Sequence, residues 1–555
     1  AAVVGATREE LHTLLDASLL NRTAGGRYTA HELLRQCAAE KLQQDAAVCH
    51  ETHTCYAAYY GNALERWAQD AQGSRQQEVL IEMDVEIDNA RVAWDWAVRE
   101  GDIAFINRAI AGLCLFYQRR VRRSEGVATY RAAAVRLETL SESDATPATR
   151  RVLSKVLTWQ SSFLPPEQAR PVAQRSLALL DQPAMSTLDV RRERAAALRQ
   201  LGHINMATDR DAAQGYYEES LALHRALNAS WDQSQLLADL GWWAWHTSNL
   251  LSARQYLDES LALARGMGDL RTMAGSVMAL SGVAMSQGQF EEATRLTEES
   301  LALRRKLGDP LEIAHSLYSL GIKRVTLGQY EPAVAVLKES LQIHQKHFGL
   351  SGALHISVLA WAKMFMGRYQ AAYQQAEKAL EMMQAADDQR GSGWTYHVLG
   401  GICLGLGALE RAQHFLAASL QAYGPLDQRM ELAFALAVLG YARCLRNQFE
   451  DAQRDLVKVL RISQEIHAVP SLIYGIVGMA LLLARQHQVE RAVEIYALGS
   501  TFPCVANSRW FADVVGQHVD TATAELPPAV IAKAKERGRA RDLWATAAEL
   551  RTIFG

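Results

Sequence analysis

A short motif recurs at an almost constant interval through the middle of this chain. It begins, as ESLAL or ESLQI, at Glu219, Glu259, Glu299 and Glu339. Each step is 40 residues, and weaker copies begin at Lys378, Ala418 and Lys458. A fixed period of this size indicates a chain built from repeated supersecondary units. Such units cannot bury their apolar faces alone and must stack on one another.

Two further markers run in phase with the motif and fit helical hairpins. An alanine follows each turn-like segment, at Ala253, Ala293, Ala333, Ala372, Ala412, Ala452 and Ala492. A small residue stands twelve positions before several of them, in Leu240-Gly241, Leu280-Ser281, Leu320-Gly321, Leu399-Gly400 and Leu439-Gly440. The small residue on the first helix lets the second helix approach closely, and the alanine fits the same tight contact. Turn segments such as Gly-Gln-Phe end one helix and begin the next.

This order of small residue, alanine and leucine resembles the tetratricopeptide repeat (TPR), whose common form has about 34 residues. The period of 40 implies longer helices or longer connections. The resemblance covers about residues 191–498. It implies an all-α fold, a TPR-like α-solenoid in which six to seven helix-turn-helix repeats form a right-handed superhelix.

The N-terminal residues have a different pattern. Residues 14–42 indicate a helix, a β-hairpin with its turn at Ala24-Gly25-Gly26, and a second helix. This segment resembles the end of the winged-helix domain of bacterial STAND-type signal-transduction ATPases and transcriptional regulators. In that family a histidine at the start of the last helix contacts the nucleotide phosphate, and the matching residue is His31. Ala30 stands where the family usually has methionine.

Two other segments extend the same resemblance. Asp88, Asn89 and Arg91 match a segment that opens the helical region after the winged helix, and residues 525–554 resemble the usual C-terminal capping element. The expected organisation is a partial winged-helix domain in residues 1–45, a helical connector in 46–190, repeats in 191–498 and capping helices in 499–555. A cap is needed because the last repeat otherwise exposes an apolar face.

Composition and missing motifs restrict the function classes. The net charge is −3, which gives no long-range attraction to nucleic acid. No GxxxxGK[ST] phosphate loop occurs, so this chain by itself is not expected to be an enzyme or to hold a cofactor. The resemblance to STAND-type ATPases implies that ATP or ADP binds in a longer parent. The first residue is not methionine, which is expected of a processed form or a fragment. Seven cysteines without a CxxC motif, and no long apolar run, favour a cytoplasmic protein without a membrane segment.

Two local clusters allow alternative hypotheses. Cys49 and His53 are one helical turn apart and could share a metal ion, but no second ligand pair follows, and a packed surface helix is the simpler interpretation. The arginines of YQRRVRRSEG are Arg119, Arg120, Arg122 and Arg123. They suit a phosphate or an acidic partner domain, although a solvated helix end explains them more simply.

The strongest candidate site is a surface built from the repeats. The first helix of each TPR pair lines the concave groove, and the repeat phase projects an aromatic, methionine and histidine lining. Its predicted members are Trp242, Trp245, His246, Met278, Met285, His315, Tyr318, Trp361, Trp394, His397, Phe434, Tyr441 and Tyr474. Aromatic residues are common anchors of binding sites, while some of these side chains could instead pack between helices.

The sequence therefore predicts a ligand- or protein-sensing and autoinhibitory TPR region of a STAND-type ATPase or transcriptional regulator. Its expected partners are a protein, peptide or small-molecule inducer in the groove and the N-terminal nucleotide-binding domain of the parent. The alternative is a free-standing TPR scaffold that mediates protein–protein interaction.

Overall fold

The computed structural model describes residues 6–22, 27–143, 146–206, 208–348, 352–424 and 428–555. The predicted hairpin turn Ala24-Gly25-Gly26 lies outside the described residues. The described residues are almost entirely helical, which confirms the all-α prediction. None of their helices is long and apolar enough to cross a membrane.

The N-terminal elements follow the predicted order of helix, hairpin and helix. They are α1 (Arg8–Asp16), β1 (Asn21–Arg22), β2 (Tyr28–Thr29) and α2 (Glu32–Gln43). The two short strands pair antiparallel. Thr7 forms a capping box with Glu10 at the start of α1, which satisfies amide groups that a helix end leaves free.

Six long helices follow before the repeats. They are α3 (Ala46–Asp70), α4 (Gln76–Glu100), α5 (Ile103–Arg119), α6 (Arg123–Ser143), α7 (Pro147–Ser161) and α8 (Pro166–Leu180), with a 3₁₀ turn at Pro183–Met185. Gly101 ends α4 with a φ of 76°, and the side chain of Asp102 caps α5. A Cβ atom at Gly112 would lie 2.4 Å from the Leu64 carbonyl oxygen, so that glycine lets α5 pack directly against α3.

Eight helix pairs then occupy residues 191–499 of the described chain, where six to seven were expected. The pairs are α9 (Arg191–Asn205) with α10 (Arg210–Ala226), α11 (Ser230–His246) with α12 (Leu250–Met267), α13 (Leu270–Ser286) with α14 (Phe290–Leu307), α15 (Pro310–Thr326) with α16 (Tyr330–Phe348), α17 (Ala353–Phe365) with α18 (Tyr369–Ala385), α19 (Gln389–Gly405) with α20 (Leu409–Tyr423), α21 (Arg429–Leu445) with α22 (Phe449–Glu465), and α23 (Val469–Arg485) with α24 (Val489–Gly499). The additional pair, α9 with α10, carries the same buried alanine at Ala213, 40 residues before Ala253.

The sequence markers mark the contacts inside each pair. A Cβ atom at Gly321 would lie 2.4 Å from Leu337, and one at Gly400 would lie 2.5 Å from Leu416. The repeated alanines are 0% exposed. The predicted close approach of the two helices is confirmed. The side chain that packs against the glycine is the leucine four positions after the alanine.

The serine of the ESLAL motif also has a structural role. Its hydroxyl donates to a main-chain carbonyl of the first helix, in Ser260 to Ser234 (2.6 Å), Ser300 to Ala274 (2.8 Å) and Ser419 to Gly393 (2.8 Å). Each of these serines is 0% exposed. Because a buried hydroxyl needs a partner, this contact fixes the distance between the two helices of a repeat.

The chain divides into two compact units. The first unit contains Ala1–Trp243 and Glu259–Thr272, and the second contains Ala244–Asp258 and Met273–Gly555. In the second unit the repeats are followed by α25 (Pro503–Ala506), α26 (Arg509–Phe511), a π-helical turn (Ala512–Gly516), α27 (Gln517–Ala522), a 3₁₀ turn (Thr523–Glu525), α28 (Pro528–Arg539) and α29 (Leu543–Phe554).

The last two helices cover the final repeat. A Cβ atom at Gly538 would lie 2.1 Å from the Glu494 carbonyl oxygen, so α28 packs closely on α24. Arg537 forms an ion pair with Glu494 across the same contact. The amide of Gln453 on α22 donates to the carbonyl of Phe554 at the end of α29 (2.9 Å).

Candidate functional site

The residues predicted to line a groove all lie on first helices of the pairs. Trp242, Trp245 and His246 lie on α11, Met278 and Met285 on α13, His315 and Tyr318 on α15, Trp361 on α17, Trp394 and His397 on α19, Phe434 and Tyr441 on α21, and Tyr474 on α23. Trp242 belongs to the first unit and is 40% exposed. On α11 in the second unit, the Trp245 indole donates to Ser286 (3.0 Å) and its ring contacts His246.

Five of the predicted residues meet in the second unit as part of a closed circuit of seven aromatic rings. The successive ring-centroid distances are 5.3 Å for Trp361–Phe365, 5.9 Å for Phe365–Phe511, 5.2 Å for Phe511–Tyr474, 4.9 Å for Tyr474–Phe434, 6.2 Å for Phe434–His397, 5.3 Å for His397–Trp394 and 5.4 Å for Trp394–Trp361. These spacings are typical of favourable aromatic pairs. We call these seven residues the aromatic circuit.

Phe511 comes from a segment beyond the repeats, which we call the inner segment (residues 503–519). The Tyr330 hydroxyl donates to the Cys504 carbonyl (2.8 Å), and the Tyr369 hydroxyl donates to the carboxylate of Asp513 (2.7 Å). The Trp510 indole donates to the carbonyl of Gly401 (2.7 Å). The Phe511 ring also contacts Phe365 on α17 and Tyr474 on α23. The inner segment therefore lies against first helices of the pairs and against the starts of α16 and α18.

Two turn glycines make room for the inner segment. Gly328 and Gly367 have φ values of 65° and 75°, which an L side chain rarely adopts. A Cβ atom at Gly328 would lie 2.5 Å from the Pro503 carbonyl oxygen, and one at Gly367 would lie 2.7 Å from the side chain of Arg509. Glycine is required at these turns by conformation and by the neighbouring chain.

The structure corrects the expectation that the predicted residues line an open surface. Six of them are at most 9% exposed: Met278, Trp361, His397, Phe434, Tyr441 and Tyr474. Around the aromatic circuit the physical reason is the inner segment, whose Trp510 and Phe511 are both 0% exposed. Tyr441 packs between helices of the repeats, where it is 0% exposed and its hydroxyl donates to the Tyr474 carbonyl (2.6 Å). Whether the others bind a partner stays a prediction.

Part of the same face remains accessible at the N-terminal halves of the first helices. Leu354 on α17 and Met430 on α21 are each 39% exposed. His315 on α15 is exposed, and Trp394 on α19 is half-buried. These exposed or half-buried side chains lie on the same first helices as the aromatic circuit or on α15 before them.

Three nitrogen atoms of the aromatic circuit lack hydrogen-bond partners. Nε1 of Trp361, Nε1 of Trp394 and Nδ1 of His397 are buried and have no partner among the described residues. The Trp361 indole lies near the hydroxyl of Tyr474. Burial lowers the pKa of His397 to about 4, so its ring is neutral at pH 7. The circuit therefore presents unused hydrogen-bonding atoms in an uncharged, apolar setting.

Sequence reasoning missed Phe365, Phe511 and His355 at this face. The ring of His355 contacts Tyr318 (5.0 Å) and His344 (4.9 Å). Burial, followed by the neighbouring His344, lowers the pKa of His355 to about 4. Phe511 was assigned to the capping region. The apolar run Trp510-Phe511 with Val514 and Val515 was the available signal for a buried element there.

The residues carried over from the winged-helix resemblance lie in the first unit. His31 is exposed at the start of α2, where its Nδ1 accepts from the Leu33 amide (3.3 Å). Arg27, beside β2, forms an ion pair with Glu86 on α4 (2.8 Å). Arg91 pairs with Glu125 on α6. The structure thus places His31 as the exposed N-cap residue of α2, and its contact with a nucleotide stays a prediction.

The two local clusters have partners within the chain. His53 Nδ1 lies 2.8 Å from the Cys49 carbonyl oxygen and 3.6 Å from the Cys49 sulfur. No group of three or more histidine, cysteine or acidic residues in the described ranges is arranged to hold a metal ion. Arg120 hydrogen-bonds Asp84 (2.9 Å), and Arg122 lies over the Phe116 ring (5.4 Å). Arg120 and Arg122 thus contribute to packing between α4, α5 and α6.

The fold agrees with a known repeat family. Residues 273–346, which span α13 to α16, match the tetratricopeptide repeat. The chain folds as a TPR-like helical solenoid. No curated protein matches the chain.

Several solved structures have a similar arrangement of helices. The apo form of RapI is 12% identical, with a TM-score of 0.43 over 49% of this chain and 98% of that one. A Rap protein complexed with competence and sporulation factor is 14% identical, with a TM-score of 0.48 over 70% and 99%. PH0952 from Pyrococcus horikoshii, a signal-transduction ATPase with a tetratricopeptide repeat sensor, is 16% identical, with a TM-score of 0.38 over 65% and 55%. Likeness at this level concerns the fold and says nothing about ligands or activity.

Proposed function

We propose that this chain is the sensing and autoinhibitory TPR region of a STAND-type signal-transduction ATPase or transcriptional regulator. The observation that carries the sensing role is the aromatic circuit. Leaving a buried hydrogen-bonding group unpaired costs about 1–3 kcal/mol, and three such groups lie side by side there. Recognition of a partner gives a reason to keep three such groups together.

The regulatory part of the proposal rests on the N-terminal elements. The helix, hairpin and helix before α3, with His31 at the start of α2, support the resemblance to the end of a winged-helix domain. In a longer parent the nucleotide-binding domain supplies ATP hydrolysis, and His31 contacts the bound nucleotide. A protein, peptide or small-molecule inducer binds one conformation of the repeats more tightly than the other and thereby shifts the switch.

The intact mass of the protein from its source cells tests this proposal. We expect a mass well above the 61.4 kDa of this chain, together with binding of ADP or ATP. A native mass of 61.4 kDa refutes the ATPase parent and favours the free-standing scaffold.

A substitution in the native protein tests the role of His31. We expect His31→Ala to weaken ADP binding, with His12→Ala on the exposed face of α1 as the matched control. Equal ADP affinity in both variants contradicts the nucleotide contact. Isothermal titration calorimetry with ADP gives the comparison directly.

A further inference from the structure

The three residues that carry the unpaired atoms are direct neighbours in the aromatic circuit, and we call them the donor patch. The Trp394 ring contacts both the Trp361 ring (5.4 Å) and the His397 ring (5.3 Å), and each of these rings carries an unpaired buried nitrogen. Two of the three atoms are indole N–H groups, which can only donate. A ligand that completes this patch must therefore bring hydrogen-bond acceptors.

The surroundings of the patch select for an uncharged ligand. The seven rings of the circuit carry no charge at pH 7, because burial lowers the pKa of His397 and the other six side chains are phenylalanine, tyrosine or tryptophan. A carboxylate placed here loses its hydration without gaining a counter-charge, which is strongly unfavourable. A neutral carbonyl oxygen can accept from the indoles without that cost. The rings around it favour an apolar or aromatic body.

The inner segment shows how polypeptide binds to this face. Tyr330 donates to a main-chain carbonyl of the segment, at Cys504, and Phe511 completes the aromatic circuit. The segment nevertheless leaves the indoles of Trp361 and Trp394 without acceptors. The inner segment occupies the aromatic circuit but leaves some of its hydrogen-bond donors without acceptors.

We propose that the aromatic circuit is the binding site of an apolar polypeptide segment that displaces the inner segment. An aromatic side chain of the partner takes the place of Phe511, and main-chain carbonyls of the partner accept hydrogen bonds from Trp361 and Trp394. The contact between Tyr369 and Asp513, which Arg509 also pairs (2.8 Å), holds the inner segment closed. This inference rests on the proposed function, since it assumes that the repeats bind a partner.

A capped dipeptide is a suitable probe of the site. N-acetyl-Trp-Phe-amide carries two aromatic rings and neutral carbonyl groups, and it is titrated by calorimetry into the full chain. We expect the Trp510→Ala/Phe511→Ala variant to bind it at least about 10-fold more tightly than the unaltered protein, whose own rings compete for the site. If circular dichroism shows that this variant loses its helices, Phe511→Ala alone carries the test with the same outcomes.

A second substitution tests the hydrogen bonds. When Trp394→Phe is added to the Trp510→Ala/Phe511→Ala variant, the dipeptide should bind about 5- to 10-fold more weakly. This factor corresponds to the loss of one hydrogen bond of about 1 kcal/mol. The control is Trp544→Phe on α29, a tryptophan outside the predicted groove lining whose ring contacts His467, and it should leave the affinity unchanged. The inference is overturned if a folded variant does not bind the dipeptide, or if Trp394→Phe binds it as tightly as the control.

A third experiment varies the charge of the dipeptide. N-acetyl-Trp-Phe with a free carboxylate should bind at least about 10-fold more weakly than the amide, and equal binding overturns the assignment of a neutral ligand. These results are independent of the native mass and of nucleotide binding. A native mass of 61.4 kDa with dipeptide binding intact refutes the ATPase parent and leaves the peptide site standing.

Discussion

Replacing Trp510 with alanine tests whether the inner segment is a separable element of the fold. The Trp510 side chain is 0% exposed, and its ring contacts Phe365 and Tyr441. Its indole also donates to the carbonyl of Gly401 (2.7 Å). Trp510→Ala therefore removes the principal anchor of the inner segment without altering any residue of the repeats.

The magnitude follows from these contacts. Truncation of a fully buried tryptophan to alanine costs about 3–5 kcal/mol, which includes about 1 kcal/mol for the lost hydrogen bond. If the inner segment opens separately, the free energy of that opening falls by about 4 kcal/mol. Since 1.4 kcal/mol corresponds to a factor of ten, its amide hydrogens should exchange about 1,000-fold faster.

Native-state hydrogen exchange followed by mass spectrometry measures this effect by segment. We expect the acceleration in peptides that cover residues 503–519, while peptides from α21 and α22 change less than about 10-fold. Trp245→Ala is the control, because it removes a tryptophan of the same unit whose indole donates to Ser286 on α13. Equal acceleration in the inner segment, α21 and α22 would refute the reasoning, since it would mean that they unfold as one cooperative core.

Two further predictions concern the repeats themselves and are read from urea midpoints. Burial lowers the pKa of Lys323 from its ordinary 10.5 to about 8. Burying the charged amine therefore lowers the free energy of unfolding by about 3 kcal/mol at pH values below 8, and this loss disappears as the pH rises to 10.5. Lys323→Met should therefore raise the midpoint at pH 7 and lose that advantage near pH 10, whereas Lys338→Met on an exposed face should do neither. Gly321→Ala should lower the midpoint, at a cost of about 1–3 kcal/mol, because its Cβ would lie 2.4 Å from Leu337. Gly275→Ala, which meets nothing within 4 Å, should stabilise by about 0.5–1 kcal/mol, and an equal fall in both glycine variants contradicts the packing argument.

The repeats were predictable from the sequence because their contacts are local. Gly321 and Leu337 lie in adjacent helices of one hairpin, and the same pair of positions recurs at Gly400 and Leu416. A contact that repeats with the period of the chain leaves a periodic trace in the sequence. The assignment of the aromatic residues to the first helices followed from the same phase and is confirmed.

The inner segment was not predictable by the same means. Tyr330 and Cys504 are 174 positions apart, and Gly401 and Trp510 are 109 positions apart. Neither pair recurs with the period, so the repeat phase carries no information about what covers the first helices. The repeat phase placed the aromatic residues on the first helices and could not show that the chain itself covers them.

The residue types in the aromatic circuit indicate whether the inner segment covers the first helices permanently. Phe365 and Phe434 show that phenylalanine fits the circuit and needs no hydrogen-bond partner there. A face that served packing alone would be more stable with phenylalanine at 361 and 394 as well, because each unpaired indole N–H costs free energy when buried. The tryptophans retain donors that the inner segment does not use. A second occupant that supplies acceptors would recover that free energy, and the energy recovered favours exchange of the inner segment for a partner.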